Sequence, residues 1–246
     1  MIIDTHAHIT RMFYKDAIDE IVKDSKINTI DKIVVPAESL NIDANQYPGY
    51  LYFAVGIHPE NIKKNITKDK IEEFITKDTI AIGECGLDYL KGKNKKLQIE
   101  IFKMQIEIAK ENSLPIIIHS RESLEDVYKI LSYYYSNGDK NSGVIHSAYG
   151  DINLLSKIID LGFYLSFNGI STFKNTDDIR SIIRKTNILN ILAETDSPFL
   201  TPEPIRGKMP NKPSNIKYVI ENIKKIKNNK DTEAILYDNS MRLFKF

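Results

Sequence analysis

Eight short apolar runs recur along the whole chain, and segments of helical period separate most of them. The runs lie near residues 1–6, 31–36, 51–57, 79–84, 114–119, 142–146, 162–167 and 189–195. They are rich in Ile, Val and Phe, the composition of strands covered on both faces. Between them, a stretch such as LQIEIFKMQIEIAKEN places Ile101, Met104 and Ile108 on one helix face. Asn112 and then Pro115 mark the end of that helix and the approach of the next strand. Strands alternating with helices imply a parallel sheet, and eight such units imply a closed TIM-type (β/α)8 barrel, an α/β fold. The length of 246 residues suits one such barrel, spanning residues 1–246 as a single domain.

One unit is irregular. ESLNIDANQYPG, between the second and third runs, carries little helical pattern, so the second helix is expected to be truncated or absent. After the last run, SPFLTPEPIRGKMPNKP is rich in proline and is expected to form a long loop over the barrel mouth. Two helices should follow, from about Ser214 to Lys227 and from Asp231 onward.

All five histidines fall at or just beyond the ends of the apolar runs: His6 and His8, His58, His119 and His146. Glu84 and Asp196 occupy equivalent places. Imidazoles and carboxylates gathered at one end of parallel strands are what a metal site at a barrel mouth requires. In DTHAH, the two-residue period of an extended chain points Asp4, His6 and His8 the same way. Two imidazoles side by side can grip one divalent cation, although His-x-His alone also occurs as a pair of surface histidines. Glu84 stands between Gly83 and Gly86, which allow a sharp turn and close backbone approach, and its two oxygens can bridge two cations. Cys85 should face away from Glu84 as a buried structural thiol. Asp196 is placed both to bind metal and to take a proton from a metal-bound water, with Glu194 one step deeper in support.

Counted together, His6, His8, Glu84, His119, His146 and Asp196 exceed the three protein ligands of a single open zinc site. They suffice for two divalent cations sharing a carboxylate and a water, the alternative being one metal with spare ligands. With that ligand ring full, His58 is read as a substrate contact. Arg206, Lys208 and Asn211 in the mouth loop, and Arg121 beyond the fifth run, offer local grips for phosphate.

Composition narrows the partners. A formal net charge of +1 is far below what is usual for a nucleic-acid binder working through a broad electrostatic surface, so phosphate recognition is expected to be local. One cysteine permits no internal disulfide and suits a reducing compartment. No apolar stretch approaches the roughly 18 residues that span a bilayer, and the chain runs straight from Met1 into its first strand. A cytoplasmic protein without a membrane partner is the expectation.

DTHAH, GIHP, IGECGLDY, IIIHSRES, LGFYLSFNGISTFKN, ETDSPFLTP and RGKMPNKP, in that order, resemble the successive motifs of the TatD family of metal-dependent hydrolases, within the amidohydrolase-like barrels. The likeness runs from Ile2 to the terminal NSMRLF. It implies that His6 and His8 hold one metal, that Glu84 bridges, and that His119 and His146 hold the other. Asp196 would contact metal and transfer a proton, and no carboxylated lysine is implied. It further implies a deoxyribonuclease acting from the 3′ end on single-stranded or frayed DNA, with Zn, Mn, Mg or Ni as the metal. Three departures affect the rim and leave the ligands intact. His146-Ser147-Ala148-Tyr149-Gly150 replaces the usual His-Cys-Phe-Ser-Gly, Met209-Pro210 lengthens the mouth loop, and the connection after the second strand is short. Two other readings stand beside it: an ester or amide hydrolase of the same barrel type, such as a deacylase of mis-charged tRNA, and a non-catalytic nucleic-acid-binding barrel.

Overall fold

The computed structural model describes residues 1–36 and 47–246. Eight parallel strands are hydrogen-bonded in chain order: β1 (Ile2–Asp4), β2 (Ile30–Pro36), β3 (Leu51–Val55), β4 (Thr79–Asp88), β5 (Ile116–Arg121), β6 (Gly143–Ile145), β7 (Phe163–Phe167) and β8 (Ile191–Ala193). The seam between β1 and β8 is closed just beyond the strands. Thr5 N–H donates to the Ala193 carbonyl (3.3 Å), Asp196 N–H to that of His6 (2.9 Å) and His8 N–H to that of Ser197 (2.8 Å). The Asp4 carboxylate fastens the same seam, accepting from Thr195 N–H (2.9 Å) and Thr195 Oγ1 (2.6 Å). This is a TIM-type (β/α)8 barrel.

Helices α1 (Arg11–Tyr14) and α2 (Ile18–Ile27) follow β1, α3 (Lys68–Glu72) follows β3, and α4 (Lys95–Glu111) follows β4. Then come α5 (Leu124–Tyr134), α6 (Ile152–Asp160) and α7 (Asp177–Lys185), one after each successive strand. After β8 and the mouth loop, α8 (Ile216–Lys227) and α9 (Thr232–Phe244) end the chain, within two residues of the starts expected for them. The shortened connection after β2 lies largely outside the described residues.

Two apolar layers make the core. One residue from each of β2 to β8 fills the barrel interior: Val34, Ala54, Ala81, Ile117, Val144, Tyr164 and Leu192. Leu243 and Phe244 of α9 join this group and plug the barrel end remote from the site, with Phe246 packed on Tyr52 (ring centroids 4.5 Å apart). The outward side chains, among them Ile33, Ile82, Ile116, Ile118 and Leu165, pack against the helices. Such alternation follows from the period-two geometry of strands.

β4 breaks the alternation where the chemistry needs it. Ile82 pairs with Ile116 but Cys85 pairs with Ile118, so one extra residue is inserted at Gly83–Glu84. Strict alternation from interior Ala81 would turn Glu84 outward and Cys85 inward. The bulge reverses this: Cys85 joins the outer layer, its thiol 3.6 Å from the Ile117 carbonyl and its pKa pushed well up by burial, while Glu84 enters the barrel. Gly86 makes the close approach of β4 to β5 possible. Its φ is +135°, and a Cβ there would lie 2.1 Å from the His119 carbonyl oxygen. β4 also runs four residues past the end expected from its apolar pattern, to Asp88.

Candidate metal centre

All six expected ligands converge at the carboxyl ends of the strands, at the base of an open cavity of about 780 Å³. Glu84 is the hub. Its Oε2 lies 3.3 Å from His6 Nε2, which is 3.3 Å from His8 Nε2 and 3.7 Å from Asp196 Oδ1; His8 Nε2 and Asp196 Oδ1 are 3.2 Å apart. Its Oε1 faces the other way, 2.9 Å from His119 Nδ1, 3.3 Å from His146 Nε2 and 3.6 Å from His58 Nε2. Donors about 2.0–2.1 Å from a tetrahedral zinc stand roughly 3.3 Å apart, so these spacings suit a divalent cation. Nitrogen and carboxylate donors packed this closely, with His6, His8, Glu84 and His146 buried, have the chemistry of a metal centre.

The far side of each ring shows how the ligands are aimed. His146 Nδ1 meets Glu194 Oε1 at 3.0 Å, and the same oxygen accepts from Ser147 N–H (2.8 Å) and Asn168 Nδ2 (3.1 Å). His119 Nε2 meets Asp88 Oδ2 at 3.1 Å, while Asp88 Oδ1 accepts from the N–H groups of Leu90 (2.9 Å) and Lys91 (2.6 Å). Each carboxylate fixes its ring so that the opposite nitrogen faces Glu84. Two buried glutamines of α4 hold the strand ends from behind. Gln98 bonds both Asp88 N–H (2.8 Å) and its carbonyl (3.0 Å), and Gln105 does the same for Ile57 (2.8 and 3.2 Å), next to His58.

Electrostatics follow from this packing. Burial favours the neutral form of Glu84, but His146, His6 and His58 outweigh it and hold the carboxyl well below its usual range. Burial likewise opposes charge on His146, yet Glu194, Glu84 and Asp196 overcome it and raise that imidazole to about 10. Burial lowers His6, with His146 adding to the effect. His119 is raised because Asp88 and Glu84 outweigh its burial. Burial pulls His58 down to about 4. Of the imidazoles in the cluster, His146 and His119 are the two whose surroundings favour the protonated form.

The remaining residues singled out from the sequence divide. His58 stands inside the donor cluster, 3.3 Å from His119 Nδ1, so a separation between a full ligand ring and a substrate-contacting His58 is not sharp in space. Arg121 lines the cavity, as does Tyr149, whose hydroxyl accepts from Glu122 N–H (3.1 Å). Arg206 and Lys208 are exposed and do not line it. The mouth loop folds back on itself, with Thr201 Oγ1 donating to the Lys208 carbonyl (2.8 Å) and the Arg206 guanidinium lying 3.8 Å over the Phe173 ring. Asn211 offers no amide to the cavity: it is fully buried and donates to the carbonyls of Thr195 (3.2 Å) and Phe199 (2.7 Å), tying the loop beneath β8. Asp88, Asn168, Gln98 and Gln105 were not legible as site residues. The only signal was for Asp88, which ends the GECGLD run four residues beyond Glu84.

Comparisons with known proteins agree with this geometry. A family model described as "TatD related DNase" matches residues 3–245. The chain is 36% identical to the uncharacterized metal-dependent hydrolase YabD of Bacillus subtilis, covering 100% of this chain and 99% of that one. It is 30% identical to the uncharacterized metal-dependent hydrolase YcfH of Escherichia coli K12, covering 99% and 95%. The fold superposes on the crystal structure of YjjV, a TatD homologue from Escherichia coli, with a TM-score of 0.88 at 24% identity, covering 100% and 98%.

Proposed function

This chain belongs to the TatD-related family of metal-dependent hydrolases, and from that premise we propose that it is a deoxyribonuclease that shortens single-stranded or frayed DNA from the 3′ end. The observation that carries the reading is the split of Glu84, one oxygen toward His6 and the other toward His119 and His146. A carboxylate so placed would hold divalent metal together with the donors around it, His6, His8 and Asp196 near one oxygen and His119 and His146 near the other. Zinc, manganese, magnesium and nickel all accept such donors. When bound, the cations lower the pKa of water and neutralise charge on a phosphoryl group.

The protein's own groups complete the work. Asp196, beside His8 and open to the cavity, accepts the proton released by the attacking water. His58 Nδ1 accepts from Glu60 N–H (3.2 Å), so the neutral ring carries its proton on Nε2 and presents it toward the cluster as a donor for a phosphoryl oxygen. Arg121 supplies a guanidinium at the wall, with no ion pair to another side chain among the described residues, for bidentate contact with phosphate. The cluster lies at the floor of the cavity, which favours a free end over the interior of a duplex.

A second reading is favoured by the charge of the wall. Glu60, Glu122 and Asp178 stand against Lys91 and Arg121, and Lys91 is 3.8 Å from Glu60. A wall so little basic also fits an ester or amide with few charges, such as an acyl group on tRNA. Hydrolysis of a 3′-labelled single-stranded oligonucleotide with added Mg²⁺, Mn²⁺ or Zn²⁺ decides between them. Shortening from the 3′ end that EDTA and Asp196→Ala both abolish supports the nuclease. A folded, metal-loaded protein that leaves DNA intact overturns it and directs the assay to aminoacylated tRNA.

A further inference from the structure

Resting on the deoxyribonuclease reading, we propose that Phe199 is the platform on which the terminal nucleobase of the substrate stacks. Phe199 follows Asp196 by three residues, across Ser197-Pro198, and forms part of the cavity wall. Its backbone is fixed on both sides. The N–H donates to the Asp196 carbonyl (2.9 Å), and the carbonyl accepts from the fully buried Asn211 amide (2.7 Å). Its ring is fixed as well, near-perpendicular to Phe13 (centroids 5.3 Å apart, 81°) and to His8 (6.0 Å, 71°). Yet the residue remains 40% exposed.

A large aromatic side chain held this firmly gains by burial unless something covers it in use. The edge contacts to Phe13 and His8 hold the ring in one orientation, so a planar partner would meet a lower ordering cost than on a side chain without such contacts. Its neighbours identify the partner. His8 and Asp196 belong to the donor cluster, so a group lying on Phe199 is joined to the one whose ester bond is at that cluster. In a strand shortened from its 3′ end, the cleaved phosphodiester carries the last nucleotide on one side and the rest of the strand on the other, and Phe199 is assigned to the base of the last nucleotide. Phe167, which also lines the cavity, is buried, and two further aromatic residues near the mouth are differently engaged. Arg206 covers Phe173, and the Tyr149 hydroxyl is bonded to Glu122 N–H. Stacking tolerates every base, so Phe199 would confer preference for a base over none, without choosing among sequences.

The test compares two single-stranded oligonucleotides, 5′-labelled and identical except at the 3′ terminus. One ends in thymidine and the other in a base-free tetrahydrofuran residue. The metal-loaded wild type is expected to release the thymidine nucleotide with the higher kcat/KM. Phe199→Ala should lower kcat/KM on the thymidine end about tenfold, mainly through KM, while leaving the base-free end within about twofold. Phe199→Trp should restore the preference. Phe199→Leu, which keeps apolar bulk against Phe13 and His8, should behave as the alanine variant does and so separates stacking from packing. Equal losses on both ends, or retention of the preference in Phe199→Ala and Phe199→Leu, overturn the inference while the nuclease reading stands. A wild type that cleaves neither end removes the nuclease reading and this inference with it.

Discussion

Asp88 and Glu194 hold the far nitrogens of His119 and His146, so their effect should pass through the metal. Carboxylates in this position typically contribute about 10–100-fold to affinity or activity. Asp88→Asn and Glu194→Gln are therefore expected to weaken metal binding by roughly that factor, read by titration of the metal-free protein with Zn²⁺ or Mn²⁺. An unchanged affinity in both variants would remove them from the design. Glu84→Ala should do more, abolishing turnover while the circular dichroism of the folded protein is retained, because the two oxygens of Glu84 lie against His6 on one side and against His119 and His146 on the other. Protonation gives a third expectation. His146 is held up to about 10 without metal, so at neutral pH its Nε2 carries a proton that a cation must expel. Below that pKa, apparent affinity should fall about tenfold for each unit of decreasing pH on this proton alone, and His119 adds to the trend. Calorimetry in buffers of different ionisation enthalpy measures the released protons, and none released at pH 7 would refute the assignment.

At the scale of elements, β4 and α4 act as one part. The bulge at Gly83–Glu84 aims the carboxylate inward, and Gln98 and Gln105 of α4 fasten the ends of β4 and β3 on either side of the cluster. Gln98→Leu leaves the buried N–H and carbonyl of Asp88 without these partners, at a cost of about 1–3 kcal/mol for each group left unsatisfied. A lower Tm together with weaker metal binding is the expected pair of outcomes. Stability lost with metal affinity unchanged would show that Gln98 serves only the fold. The apolar periodicity of α4 was plain in the sequence, and so were the strands it joins. Its two buried glutamines were not, because a glutamine on a helix reads as solvent-facing until the partner backbone is in place. The bulge was hidden for a related reason: Gly83 signals permissiveness, but only pairing with β5 shows where the extra residue is inserted.

Over the whole molecule, the barrel separates stability from chemistry along its axis. The donor cluster occupies one end, and Leu243, Phe244 and Phe246 close the other. Phe244→Ala should cost about 3–5 kcal/mol, in the range of large buried aromatic truncations, with metal affinity preserved in the protein that remains folded. Denaturant unfolding combined with metal titration tests both halves of that expectation. The balance of charges also acts at this scale. With net charge +1 and few cations at the cavity wall, the substrate should touch only one or two phosphates strongly. The log–log dependence of kcat/KM on salt should then have a slope no steeper than about −1.5. A much steeper slope would reveal a phosphate-binding surface outside the cavity. Among the described residues, no helix is long and apolar enough to cross a membrane.

The order of apolar runs and helical segments determined the eight-stranded parallel barrel, because strand and helix periods are local properties that each segment carries alone. The same local reading placed His6, His8, His58, Glu84, His119, His146 and Asp196 at one end of it, since parallel strands share an end. The tertiary structure decided what no single segment holds. It set which oxygen of Glu84 faces which histidine, the placement of Asp88 and Glu194 behind the rings, and the fate of the mouth loop. Arg206, Lys208 and Asn211 lie in a stretch without periodic pattern, so their positions depend on what the loop packs against. There Asn211 finds buried carbonyls and Arg206 an aromatic ring, while Phe199 and Leu200 of the loop line the cavity and the Phe199 ring lies against His8. Hydrogen bonds and stacking between residues distant in the chain made those choices, and they exist only once the barrel has closed.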